Sequence, residues 1–171
     1  QPGPQPRMDN ESPAALVAHL AHPNGWWRDT AQKLLILHGD KSVASALEKM
    51  ARDHANPLSR SHAIWTLEGL GALSPELVRG KLADMNPQVR IAAIRAGETL
   101  IKAGDTTLES GYRTMLSDKD PNVVIQAYLT GKLLKWKDSK DLAVSLSKTH
   151  SSKGVREIAN QIANPPATKT R

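Results

Sequence analysis

The sequence predicts an all-α protein, an α-solenoid of about five helical hairpins stacked side by side. Three observations predict it. The apolar residues are mostly Ala, Leu, Ile and Val, with 4% aromatics and no Phe, which suits closely packed helices better than a sheet. Four segments share one pattern: HPNGWWRDTAQKLL from His22, NPLSRSHAIWTLEGL from Asn56, NPQVRIAAIRAGETL from Asn86 and DPNVVIQAYLTGKLL from Asp120, with KGVREIANQIA from Lys153 as a weaker fifth. A column of alanines, Ala31, Ala63, Ala93, Ala127 and Ala159, recurs at spacings of 32, 30, 34 and 32.

Each of these segments reads as the second helix of a hairpin. Pro23, Pro57, Pro87 and Pro121 open four of them, and Gly154 stands near the start of the fifth. On this reading the first unit carries two extra residues, Asn24 and Gly25, between proline and helix. Trp27, Ala31, Leu34, Leu35 and His38 fall on one face of the first copy, and Val89, Ala93, Ala96, Gly97 and Leu100 on one face of the third. Small residues on that stripe let a neighbouring helix come close.

The first helices are expected, in order, in SPAALVAHLA, KSVASALEKMARD, SPELVRGKLAD, DTTLESGYRTMLSD and DSKDLAVSLSKTH. Several begin with Ser or Asp ahead of an apolar run, as an N-cap does. At Ser74, Pro75 and Glu76 the cap is followed by Pro at the first helical position and an acid in the first turn. Ten helices therefore form five antiparallel pairs in a right-handed stack, since no single pair can bury its own apolar face. The repeat domain is placed at residues 12–163, between flexible tails at 1–11 and 164–171.

Composition narrows the chemistry. A chain of 171 residues can bury roughly 70% of its unfolded surface as one domain. No apolar run of about 18 residues is present to span a membrane. The chain starts at Gln1 with no basic-then-apolar leader, and is expected to be processed or cut from a longer protein. With no cysteine it has no disulfide, thiolate zinc site, Cys nucleophile or covalently attached haem of its own. The net charge of +6 is uneven: residues 1–120 hold 14 Lys and Arg against 14 Asp and Glu, and residues 121–171 hold 9 against 3. The excess, around Lys132, Lys135, Lys137, Lys140, Lys148 and Lys153, reads as a solvated face rather than a phosphate track.

Candidate binding residues follow from the repeat alignment. Arg28, Arg60, Arg90 and Arg156 share a column, broken by Val124, and can bridge to an aspartate of the preceding turn (Asp53, Asp84) or to the next repeat. Trp27 aligns with Val89, Val123 and Val155 and is expected to be buried. Trp26 aligns with Gln88 and Asn122 and is expected to be exposed as a partner anchor. Trp65, with His62 and Glu68, is expected to line the concave face, where Glu98 shares the column of Glu68. Trp136 is expected to shield the last repeat. His19 and His22 show no metal-ligand spacing, and no phosphate loop, nucleophile elbow or paired CxxC occurs. No catalytic residue, metal ligand or cofactor is assigned, and the binding set is Trp26, Arg28, Arg60, His62, Trp65, Glu68 and Arg90.

Asp84, Pro87, Val89, Arg90 and Ala93 look like the turn of a HEAT repeat, although the period is shorter than usual. HPNGWWRDTAQKLL, SRSHAIWTLEGLGAL and NPQVRIAAIRAGE strongly resemble the HEAT-repeat regions of large bacterial secreted proteins described as membrane-bound dehydrogenases. The resemblance covers most of residues 12–163 and is most specific from His22 to Leu73. In that family a propeller similar to quinoprotein glucose/sorbosone dehydrogenases precedes the repeats and a c-type cytochrome domain follows. The resemblance implies a periplasmic or secreted scaffold that spaces those domains or binds a protein partner. This chain has neither propeller strands nor CxxCH, so any redox activity would belong to flanking domains. Two other readings stay open: a HEAT-like DNA-glycosylase relative that uses Trp26, Trp65 and Tyr128 on nucleic acid, and a groove for a peptide or acidic protein steered by the C-terminal lysines. The neutral first 120 residues speak against the former.

Overall fold

The computed structural model describes residues 7–164. Among the described residues the chain is all-helical, with eleven α-helices, two short 3-10 turns and no strand. Helices α1 (Pro13–His19) and α2 (Gly25–His38) form the first pair. A 3-10 turn, Lys41–Val43, leads into α3 (Ala44–Asp53), which pairs with α4 (Pro57–Gly69). Helix α5 (Pro75–Lys81) pairs with α6 (Pro87–Ala96), which continues as α7 (Glu98–Lys102). Helix α8 (Glu109–Thr114), extended by the turn Met115–Ser117, packs on α9 (Pro121–Leu133), and α10 (Ser139–Thr149) packs on α11 (Lys153–Ala163). The second helices also touch in succession, α2 on α4, α4 on α6, α6 on α9 and α9 on α11. All ten expected helices are present, one of them split in two.

A repeated turn sets where each second helix starts. His22, His54, Asp84, Asp118 and His150 each accept, through a side-chain atom, the backbone N–H two residues later, at 2.8–3.1 Å. The residue so held is the N-cap: Asn24, Asn56, Asn86, Asp120 or Ser152. The first four caps in turn accept the N–H of Trp26, Leu58, Gln88 and Asn122, each worth about 1 kcal/mol. This alignment corrects the reading of Pro23. Asn24 is the cap and Gly25 stands where Pro57, Pro87 and Pro121 stand, so the first unit has no insertion; Pro23 lies inside the turn.

The alanine column is the centre of the core. Ala31, Ala63, Ala93 and Ala127 are 0% exposed and Ala159 is 1%. Side chains of this size let adjacent second helices pack closely, while Leu16, Leu47 and Leu77 of the first helices fill the space between the two layers. Trp27 is less enclosed than expected. It is half-buried because no helix among the described residues covers the outer side of α2, and His22 stacks on its ring at 4.8 Å with His19 at 5.2 Å. Met8, placed in the expected tail, is wholly buried in the core, and Glu11 accepts a hydrogen bond from His19 Nε2 at 2.7 Å. A single apolar residue in a polar stretch leaves no periodic signal. The remainder of the expected tails, 1–6 and 165–171, lies outside the described residues.

The expected continuous stripe from Val89 to Leu100 is interrupted at Gly97. The Tyr112 hydroxyl donates to Ile94 O at 2.8 Å, taking a carbonyl that would otherwise serve the helix. Gly131, one unit later at the same place, is covered by the Trp136 ring. Trp136 is 6% exposed and lies under the Arg113 guanidinium at 4.3 Å, so the contacts of its ring are with the fourth unit, whereas it is expected from the sequence to shield the last.

Lys135 has φ of 59°, the left-handed conformation that Gly39 and Gly71 adopt at the corresponding ends of α2 and α4. The backbone closes there as a Schellman turn, with Trp136 N–H donating to Gly131 O at 3.0 Å. A side chain is strained in this conformation, so Lys135→Gly is expected to raise stability by about 0.5–1 kcal/mol, after the greater freedom of glycine in the unfolded chain is deducted. Urea unfolding of the two proteins measures it, and a destabilised variant would refute it.

Candidate functional site

The arginine column is a device of the turn before it is anything else. Nη1 of Arg28, Arg60, Arg90 and Arg156 donates to the carbonyls six and five residues earlier: His22 and Pro23, His54 and Ala55, Asp84 and Met85, and His150 and Ser151. That fixes the other edge of the guanidinium towards the next unit. Arg60 Nε and Nη2 grip the Asp84 carboxylate at 2.9 and 2.7 Å, and Arg90 Nη2 donates to Asp118 Oδ1 at 2.7 Å. The arginines thus reach forward, and Arg60 does not take Asp53.

Lys81 Nζ also donates to Asp84 Oδ2, at 3.3 Å. Burial alone would push the Asp84 carboxyl up. The hydrogen bonds from Arg60, the Asn86 N–H and Lys81 outweigh that and hold it below the usual range. Arg60 and Arg90 are therefore enclosed between units, Arg90 being 4% exposed, with their outer guanidinium edges engaged by Asp84 and Asp118. Arg28 has no carboxylate partner among the described residues, because His54 stands where Asp84 and Asp118 stand in the later units.

The surface open to a partner lies on the opposite side of the same helices. Seven large hydrophobic residues are exposed among the described residues, and five of them, Trp26, Leu37, Leu58, Leu129 and Leu133, belong to α2, α4 and α9. Placed by helical rotation from each N-cap, these five fall within about 40° of one direction, at about 100° per residue. Trp65, half-buried, sits in that sector on α4, and Arg95 of α6 holds its guanidinium 5.8 Å from the ring centroid. Trp26 is 73% exposed at the start of the face. Sequence reading identified the two tryptophans and missed the leucines, although the column Trp26, Leu58, Gln88, Asn122 already holds two large apolar residues at a solvent-facing position.

Polar groups bind these helices to one another along the same side. His62 Nδ1 donates to Gln32 Oε1 at 2.7 Å, and its Nε2 is 3.9 Å from Asp29. Burial pushes the His62 pKa down, against the pull of Asp29 and with the push of Arg28, so the ring is neutral at pH 7. Thr130 Oγ1 donates to Glu98 at 2.5 Å and accepts from Gln126. Glu68 is half-buried beside this row. Asp29, Gln32, Lys33, Ile36 and Leu37 line an open depression of about 370 Å³. The structure thus brings His62, Trp65, Glu68 and Trp26 to one side, and removes Arg60 and Arg90 from it.

Among the described residues no three His, Asp or Glu side chains gather as a metal site, and no helix is long and apolar enough to cross a membrane. No family model, curated protein or solved structure matches the chain.

Proposed function

We propose that this chain is a non-catalytic scaffold and protein-interaction module, a stack of five HEAT-like hairpins whose second helices carry the binding face. The observation that carries the reading is that Trp26, Leu37 and Leu58 on the neighbouring helices α2 and α4 face the same sector as Trp65 and Arg95, and that Leu129 and Leu133 of α9 repeat that orientation beyond α6. Exposed apolar side chains have a hydration cost that a partner removes, and aromatic and arginine groups are the usual anchors. The resemblance of its repeats supplies the context: a periplasmic or secreted quinone-dependent dehydrogenase–cytochrome c protein, in which the module spaces a propeller from a haem domain.

The test titrates the chain with a quinoprotein propeller and a c-type cytochrome domain of the resembling family. Binding in the micromolar range, weakened at least about tenfold by Trp65→Ala, is the expected result. Failure to bind either domain overturns the spacer reading, and robust dye-coupled oxidation of sugars or alcohols by the chain with added quinone overturns the non-catalytic one. The alternative, a HEAT-like nucleic-acid protein, predicts micromolar affinity for duplex DNA that falls steeply with salt.

A further inference from the structure

We propose that the outer face of α11 is a docking surface for a partner protein that presents an aspartate from a helix–turn–helix edge to Arg156. The inference rests on the reading of the chain as stacked hairpins. Arg156 is set as the inner arginines are: Nη1 donates to His150 O at 2.6 Å and to Ser151 O at 2.7 Å, which aims the other edge of the guanidinium away from the fourth unit. In the two inner turns that edge holds the carboxylate of the following unit, Asp84 on Arg60 and Asp118 on Arg90. The molecule therefore shows twice what this group binds. At α11 no carboxylate among the described residues takes the place, and beside it lies an open hollow of about 330 Å³ lined by Ser147, Lys153, Arg156, Glu157 and Asn160.

Charge points the same way. Residues 121–164 hold seven cations (Lys132, Lys135, Lys137, Lys140, Lys148, Lys153, Arg156) against Asp138, Asp141 and Glu157, and Asp138 is already bound by Arg113. Such an end attracts an acidic partner. Apolar surface is available too: α11 fully buries Val155 and Ala159, and leaves Ile158 and Ile162 partly uncovered. A second copy of the chain fits less well. Its leading turn would offer His22, whose Nδ1 already accepts from Asn24, and no carboxylate.

The test joins a partner mimic, a copy of residues 74–97 with its aspartate, behind the full chain through a flexible linker of about ten residues, an effective concentration near millimolar. Hydrogen exchange of the α11 amides is expected to slow at least about tenfold, with a shift of the Arg156 Nε proton. Both effects should be lost when the aspartate of the copy becomes Asn, a change that leaves the parent chain untouched, and in Arg156→Lys. Unchanged exchange, or equal protection by the Asn copy, overturns the proposal, as does concentration-dependent protection of the unextended chain, which would make a second copy the occupant. Small-angle scattering of the unextended chain separates the two levels. An elongated profile with no docking sinks only this surface, and a compact sphere sinks the stack.

Discussion

Replacing Asp84 with alanine is expected to lower the free energy of unfolding by about 3–5 kcal/mol, more than any other surface-adjacent change in the chain. Four donors converge on this one carboxylate: Arg60 Nε and Nη2, Lys81 Nζ and the Asn86 N–H. The side chains of Asp84, Arg60 and Lys81 are 5%, 12% and 10% exposed. Removal of the acid leaves two enclosed cations without their counter-charge and frees the turn that caps α6. Asp84→Asn keeps an acceptor for the Asn86 N–H and is expected to cost less. Urea unfolding with an unchanged slope measures both, and a loss below about 1 kcal/mol for Asp84→Ala would refute the account. The pH dependence follows in sign. The folded carboxyl titrates below the roughly 3.9 of an unfolded aspartate, so its contribution is complete above that value and is lost as pH falls through the folded one. The gap between parent and Asp84→Ala should therefore narrow as pH drops below about 4.

Gly97→Ala is expected to destabilise by about 2–3 kcal/mol, large for one methyl group. A Cβ there would overlap the Tyr112 hydroxyl, lie 3.0 Å from Val78 Cγ1 and 3.1 Å from its own helix at Ala93 O. Tyr112 is 0% exposed, with its hydroxyl given to Ile94 O, so it cannot retreat without loss of that bond. Tyr112→Phe alone is expected to cost about 1 kcal/mol. In the double variant the hydroxyl that blocks the methyl is gone, and its cost should fall below the sum of the single changes by 1 kcal/mol or more. Additive behaviour in a double-mutant cycle would show that the glycine serves some other purpose.

Much of this architecture could be read from residues, because the alanine column and the turn residues act locally. Ala31 to Ala159 mark the core at every repeat, and the caps Asn24, Asn56, Asn86 and Asp120 sit seven residues ahead of them without exception. What depends on neighbours was less legible. Pro23 looked like a helix start because three other prolines are, yet Gly25 takes that place. Arg60 has Asp53 nearer in sequence, but its guanidinium, pinned by His54 O and Ala55 O, faces the other way. Trp27 shares a column with buried valines and is half-buried because, among the described residues, its unit is flanked only by the second. At the candidate face the tryptophans stood out by rarity, and the leucines blended with a core that is itself rich in leucine.

The guanidinium–carboxylate links tie the second unit to the third and the third to the fourth, and their side chains are at most 12% exposed. The tie from the fourth unit to the fifth, Arg113–Asp138, is 35% and 46% exposed, and the first unit meets the second mainly through packing and His62. A tension applied to the two termini would thus peel the outer hairpins first, at small loads, and leave a riveted middle of three that ruptures last and together. In an optical trap the trace would show early shallow steps followed by one tall one, a mechanical signature written by where two aspartates happen to stand.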